Sequence, residues 1–412
     1  MSSAPAYLYA DAYRHPPASS IRALMPYATR AGTVSMAGGY PAQELFDLDG
    51  LRDASAKVAT RLGDYLQYSN IEGQANLRRE LAALSAARGV HCNPDTELAV
   101  TGGSQQALSL LARVMLQAGD TAIVENAAYT NSIHALRYTG ASVKTVPAGP
   151  TGSMDIDALE AMLAHVKPKM VCVVASFSNP TGATLDTAQR RRLIALAVQH
   201  QFLLVEDDPY GELRFEGEHV PPIAALADEQ SRPWMAYLSS LSKTVAPALR
   251  LGWLVAPAEI RRRCMAAKAA DDMAASAWIQ EIAAQYIADG HYQRHVPRIV
   301  KAYGARCHAL ADALTTEFGD EITFIKPEGG MFLWARLTGD IDALRLLPYA
   351  IEHEIVYVPG SVFYASPEGA DIHAMRLSFA TMDETRIRSG ITRLKHALKA
   401  CAAQAPCSIV LP

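Results

Sequence analysis

Five short polar clusters hold the chemistry this chain could perform, and each follows an apolar run. The cluster that organises the others is Ser240-Leu241-Ser242-Lys243, with Arg250 seven positions beyond the lysine. A lysine attacks a carbonyl carbon only as the neutral amine, and a desolvated site beside a second cation lowers its pKa toward that state. Arg250 supplies such a cation. With Ser240 and Ser242 it could also hold a phosphate, by a charged fork and donated hydroxyl hydrogen bonds. Glu206-Asp207-Asp208-Pro209-Tyr210 ends an apolar run in carboxylates and a phenol. Ser178-Asn179-Pro180-Thr181-Gly182 is a turn signal with an amide donor. Thr101-Gly102-Gly103-Ser104-Gln105 opens a helix with a glycine turn, which presents free N–H groups to an anion. Glu125-Asn126-Ala127-Ala128-Tyr129 offers a ring that could cover a flat ligand.

Each cluster alone also fits a plain structural part: helix cap, core aromatic, loop turn, N-capping aspartate, surface lysine. Their joint placement says more. Apolar runs at 97–100, 121–125, 143–146, 170–175, 202–206, 234–238 and 251–255 alternate with helical patterns, which predicts an α/β fold. The expected architecture is a mostly parallel seven-stranded sheet with helices on both faces. The five clusters then fall just after strands, where open α/β sheets bind ligands. A buried aspartate needs a cation and a buried phosphate needs donors. One flat, phosphorylated, aldehyde-bearing pyridine would answer all five clusters at once.

Composition narrows the class. With 412 residues, half of them hydrophobic, the chain can bury a large core and is expected to divide into two domains. The formal charge of -4 leaves no basic footprint for nucleic acid or an anionic membrane. No stretch has the length and polarity of a membrane span, and the N-terminal residues lack a signal-peptide pattern, so a cytoplasmic protein is expected. The six cysteines are scattered without C-x-x-C spacing. His291 and His295 are four apart on a predicted helix, where a solvated face explains them, and no metal is expected.

Taken together, the Asn179, Asp207, Lys243 and Arg250 motifs resemble those of the fold type I pyridoxal-phosphate enzymes. The likeness is specifically to the class I/II aminotransferases of the aminoadipate/kynurenine aminotransferase-like group, and it runs from residue 34 to residue 400. It implies pyridoxal 5'-phosphate as cofactor and transamination between an L-amino acid and a 2-oxo acid, with 2-oxoglutarate the acceptor by family habit. By resemblance, Lys243 bonds the cofactor's aldehyde carbon and moves the proton from Cα. Asp207, rather than Asp208, pairs with the pyridinium nitrogen. Asn179 and Tyr210 hold the phenolate oxygen, and Tyr129 stacks on the ring. Gly103, Ser104, Gln105, Ser240 and Arg250 bind the phosphate. Tyr68, in Leu66-Gln67-Tyr68, reaches the phosphate of a partner subunit, which implies a homodimer. Arg376, in Met375-Arg376-Leu377, grips the substrate carboxylate, assisted by Asn179, while Gly39 and Tyr40 line the substrate side.

The same resemblance divides the chain into a large cofactor-binding domain at 46–288 and a smaller α+β domain from 1–45 and 289–412. A helical pattern at 257–290 is expected to link them, helices from 383 to 400 to close the fold, and the stretch from 402 on to be loose. Ala127, Ser178, Tyr40 and Ala248 depart from the usual family pattern without removing a required chemical group. Tyr40 bears on side-chain preference, which the sequence leaves open among 2-aminoadipate, aromatic, branched and other amino acids. Two rivals remain. Oxidation, decarboxylation or elimination could run on the same scaffold, since fold does not fix reaction. An effector domain of a transcription regulator is disfavoured, because no recognition-helix pattern occurs in the forty or so residues before the likeness.

Overall fold

The computed structural model describes residues 7–14, 20–404 and 407. Its strands are β1 (Val34–Ser35), β2 (Leu98–Thr101), β3 (Thr121–Asn126), β4 (Ser142–Pro147), β5 (Met170–Val173), β6 (Leu203–Asp207), β7 (Met235–Ser240), β8 (Gly252–Val255), β9 (Ile322–Phe324), β10 (Phe332–Leu337), β11 (Ile355–Val356), β12 (Val358–Pro359) and β13 (Ala374–Ser378). Seven of them form one sheet in the order β2-β8-β7-β6-β5-β3-β4. All neighbours are parallel except β8, which runs antiparallel to β2 and β7.

The central strands are unbroken apolar runs rather than alternating ones, because helices cover both faces. Met170-Val171-Cys172-Val173 is buried at all four positions. One face packs on the helix Ser104–Met115, through Leu108 and Leu111. The other packs on the helix Thr187–His200, through Leu193 and Ala197. Asp186 starts the second helix with a reciprocal capping box to Gln189. Every expected strand of this sheet is present, shifted at its ends by one or two residues.

A second sheet, β12-β13-β10-β9, is antiparallel, and β1 pairs in parallel with β11 beside it. Helices His291–Phe318, Ala343–Glu352 and Glu384–Ala402 pack on these strands around one core that includes Leu310, Ile355, Leu377 and Leu394. The last helix matches the expectation for 383–400, and the stretch beyond 402 lies largely outside the described residues.

Two expectations fail here. The pattern at 257–290 is not one helix: Ala258–Ala269 and Ala277–Ala288 are separated by a turn in which Met273 takes φ 57°. The long helix comes next instead, 28 residues from His291. His295 is not solvated either; it is 2% exposed. It shares the inward face with Tyr292, Val296 and Ile299, the three- and four-residue spacing that buries a stripe of a helix. His291 does sit near the surface, bonded to Asp53 at 3.1 Å. Lys57 bonds both nearby carboxylates, Asp53 at 2.8 Å and Asp289 at 3.1 Å. Among the described residues no helix is long and apolar enough to cross a membrane.

Candidate active site

Five strand ends of the large sheet and one strand of the small sheet meet at a cavity of about 290 Å³. Its lining includes Gly39, Tyr40, Gly103, Ser104, Gln105, Tyr129, Asn179, Asp207, Tyr210, Ser240, Lys243, Arg250 and Arg376, so all but one of the expected site residues converge. Tyr68 is the exception. It is 78% exposed and borders a separate surface hollow with Leu66 and Trp278. A larger groove of about 430 Å³ runs between Thr181, Lys326 and Trp334, but Lys243 and Asp207 do not line it, so the smaller cavity is where the chemistry collects.

Asp207 is the last residue of β6 and reaches the cavity from the sheet side. Its Oδ1 is buried and has no hydrogen-bond partner in the protein. Burial pushes this carboxyl up to about 7, against the opposing hydrogen bond from Ser104 and the charge of Lys243. Asp208, the next residue, turns away: it contacts Arg88 and accepts from Tyr237 Oη at 3.1 Å. Asp208 therefore already has its cation, whereas Asp207 makes no ion pair among the described residues.

Lys243 follows β7 in a turn, and its Nζ donates to the Gly39 carbonyl at 2.8 Å. Burial, with Arg376 and Arg250 adding positive charge, brings the amine down to about 8; Asp207 pulls the other way. This is the desolvated lysine beside other cations that nucleophilic amine chemistry requires.

At one end of the cavity the helix Ser104–Met115 points its N-terminus inward. Ser240 Oγ bonds Ser242 Oγ at 2.8 Å, and Arg250 Nη1 lies 3.5 Å from Ser242 Oγ. Arg250 also donates to the Gly102 carbonyl and holds φ 50°, a conformation that costs a non-glycine residue about 1 kcal/mol or more. Gly103 must be glycine: its φ is +95° and a Cβ there would meet Arg250 Nη2 at 2.8 Å. Backbone N–H groups, hydroxyls and a guanidinium therefore converge as a phosphate cradle would require.

The opposite end is built by Arg376 on β13, the strand between β12 and β10. The arginine is 1% exposed, and no ion pair joins it to a carboxylate among the described residues. Its Nη1 donates to Asn179 Oδ1 at 2.8 Å, Nη2 donates to the Ala37 carbonyl, and Nε is buried without a partner. The guanidinium lies over the rings of Phe332 (4.4 Å) and Phe363 (4.8 Å). Burial lowers it to about 10, so it keeps its charge at neutral pH. Asn179 Nδ2 reaches Tyr210 Oη at 3.5 Å, and Tyr129 Oη accepts from Asn131 at 2.8 Å.

Sequence reasoning did not single out Ile21, Val174, Pro209 and Pro247, which complete the lining, nor the two phenylalanines beneath Arg376. Apolar walls carry no motif. Glu125 was noted only as part of the Tyr129 cluster; the structure shows it fully committed below the cavity floor.

The donor set fits pyridoxal phosphate: an orphaned buried carboxylate oxygen for a ring N–H, a lysine of lowered pKa for an aldehyde, and an anion cradle at a helix N-terminus. The comparisons agree. Residues 37–394 match the family model described as aminotransferase class I and II. The chain is similar to an aromatic-amino-acid aminotransferase of Thermococcus litoralis, 36% identical over 93% of this chain and 92% of that one. Among solved structures it resembles a Pyrococcus horikoshii kynurenine aminotransferase in complex with PMP (TM-score 0.89, 34% identity, 95% of this chain and 96% of that one). It also resembles the Thermus thermophilus α-aminoadipate aminotransferase LysN complexed with N-(5'-phosphopyridoxyl)-L-leucine (TM-score 0.87, 34% identity, 96% and 98%). The chain belongs to the class I and II aminotransferase family, and it is a pyridoxal-phosphate-dependent enzyme.

Proposed function

We propose that this cavity moves an amino group from an L-amino acid to a 2-oxo acid, with 2-oxoglutarate as acceptor. The observation that carries the reading is the convergence of Asp207, Lys243 and an anionless buried Arg376 on one cavity. Pyridoxal phosphate, when bound, supplies an electron sink for the bond that breaks at Cα.

The protein's groups divide the remaining work. Arg376 grips the substrate α-carboxylate with its unused N–H groups, and its bond to Asn179 fixes the plane of the fork. Lys243 would hold the cofactor when substrate is absent, and its neutral amine is placed to take the proton from Cα and to return it. Asp207 would pair with the ring nitrogen, and a cationic partner there would offset the burial that raises the carboxyl. Asn179 and Tyr210 would donate to the phenolate oxygen, Tyr129 would cover the ring, and Gly103, Ser104, Gln105, Ser240 and Arg250 would hold the phosphate. Ile21, Gly39 and Tyr40 border the substrate side, which supports a donor with a large apolar or aromatic side chain.

Residues 46–288 serve as the cofactor-binding domain, with 1–45 and 289–412 as the small domain. The working unit is a homodimer in which Tyr68 completes the partner's phosphate site. The apolar exposure of Leu66 (69%), Tyr68 (78%), Met273 (56%) and Trp278 (40%) supports it. The free thiols of Cys92, Cys172, Cys264, Cys307 and Cys401 support a reducing, cytoplasmic setting.

The test is a panel of amino donors with 2-oxoglutarate, followed through the cofactor's visible absorbance and the new amino acid. Transfer that requires both substrates is expected, and Lys243→Ala abolishes it. Turnover without an acceptor would point to decarboxylation, oxidation or elimination instead. Unchanged turnover in the variant would overturn the assignment of Lys243.

A further inference from the structure

Residues 174–179 cross the floor of the cavity as a strap between β5 and the turn at Pro180. The strap supplies three contacts to the site and its surroundings. Val174 lines the cavity, Asn179 holds Arg376, and Phe177 packs against Gly329 and Gly330 at the entry to β10. A Cβ on Gly329 would meet the Phe177 ring at 2.3 Å, so ring and turn are in full contact. Phe177 takes φ 53°, a strained conformation that its surroundings must hold in place.

Thr184 Oγ1 accepts from Phe177 N at 3.1 Å, and two buried side chains hold the residues on either side. Arg190, on the helix Thr187–His200, donates to Ala175 O at 2.8 Å and Ser176 Oγ at 2.9 Å. Glu125, on β3, meets the strap from the other strand. Its Oε1 accepts from Val174 N at 3.1 Å, and its Oε2 lies 2.8 Å from Ser178 Oγ. Arg190 has Glu206 as a buried counter-charge, at 3.8 Å. Glu125 has no ion pair with a cation among the described residues, and its charged neighbour is another acid, Asp207.

We propose that Glu125 is a positioning residue that works as a neutral carboxylic acid, pinning Val174 and Ser178 so that Asn179 presents Arg376 to the substrate carboxylate. A neutral acid suits this place because it accepts the Val174 N–H at one oxygen and shares a proton with the Ser178 hydroxyl at the other. A carboxylate there would sit buried beside Asp207 with no cation. Burial and the Asp207 charge push Glu125 up to about 8, opposed by the Ser178 and Val174 hydrogen bonds. The remaining titratable neighbour, Cys172 on β5, is itself held as the thiol by burial. The inference rests on the transaminase reading of the cavity.

The test compares Glu125→Ala, Glu125→Gln and Ser178→Ala. Glutamine can accept from Val174 N and donate to Ser178 Oγ, so it reproduces the neutral acid; alanine leaves both groups unpaired. Glu125→Ala is expected to lower kcat/KM for a carboxylate-bearing donor roughly tenfold to a hundredfold, mostly through KM, and less for the matching amine without a carboxylate. Glu125→Gln rescues that loss, and Ser178→Ala shows a smaller part of it. Thermal melts of the cofactor-free protein give a readout independent of turnover. A group whose pKa is raised on folding stabilises below its unfolded pKa and loses that contribution as pH rises. Wild type should therefore lose ground to Glu125→Gln as pH climbs from about 4.5 to about 8. A glutamine variant as impaired as alanine would overturn the neutral-acid proposal, as would an alanine variant with wild-type KM for both donors. The melt separates this from failure of the transaminase reading, which would remove turnover in every protein and leave the melts as predicted.

Discussion

Replacing Arg376 by lysine keeps a positive charge in the pocket and removes the planar fork. The arginine has five N–H donors; the Asn179 and Ala37 bonds use two, and three remain, including the unpartnered Nε. A substrate carboxylate can take two of these side by side, whereas an ammonium on a flexible stem presents one well-aimed bond. A hydrogen bond to a charged group is worth about 1.5–3 kcal/mol. At about 1.4 kcal/mol per decade, losing one predicts a fall in kcat/KM of roughly ten- to a hundredfold for the amino acid. Arg376→Ala removes both bonds and the charge, for a fall of about a thousandfold or more. The loss of contact with Phe332 and Phe363 is common to free and liganded enzyme, so it affects stability rather than discrimination. The assay is half-transamination by stopped-flow absorbance, using the amino acid and the amine that lacks its carboxylate. Only the amino acid should suffer. An equal loss for both donors, or less than about threefold for the amino acid, would refute the carboxylate-gripping role.

Further tests address other parts of the account. The rate at which cofactor-free protein takes up pyridoxal phosphate should rise with pH through about 8, the range in which Lys243 loses its proton; a flat profile there would remove the lowered amine from the account. The linked stability has a definite sign. An amine lowered to about 8 from 10.5 on folding binds fewer protons than the unfolded chain between those values, so stability rises with pH there. The advantage of cofactor-free Lys243→Met over wild type should shrink from pH 8 to 10.5. Arg88→Met strands the Asp208 charge, 1% exposed, and should cost about 3–5 kcal/mol in urea unfolding; less than 1 kcal/mol would show the pair is not a true buried bridge. Tyr68→Ala and Lys243→Ala proteins, each inactive alone, should regain activity when mixed under subunit exchange, and no recovery would argue against a shared site.

The large sheet was legible because five of its seven strands are short apolar runs closed by a polar cluster. Val205-Glu206-Asp207 and Leu238-Ser239-Ser240 show the pattern, and the parallel topology follows from the alternation with helices. The site was legible because charged groups at successive strand ends must converge in such a sheet. What the sequence hid was pairing across distance. Arg88 with Asp208 spans 120 positions and Arg376 with Asn179 spans 197, and no local spacing records either. The same holds for Glu125 and the strap. The break near 273 went unseen because Ala269-Ala270-Asp271-Asp272-Met273 carries neither glycine nor proline, so nothing local announces a turn. His295 was misplaced because a polar residue on the inward stripe of a long helix looks, in isolation, like a solvated one.

The most direct measurement is covalent mapping of the cofactor. Holoenzyme treated with borohydride, digested and analysed by mass spectrometry should carry the phosphopyridoxyl group on the peptide containing Lys243 alone, and Asp207→Ala protein should still carry it there while transferring amino groups far more slowly. A label on any other lysine, or full transfer activity in the Asp207 variant, would contradict the claim that these two side chains hold one cofactor between them.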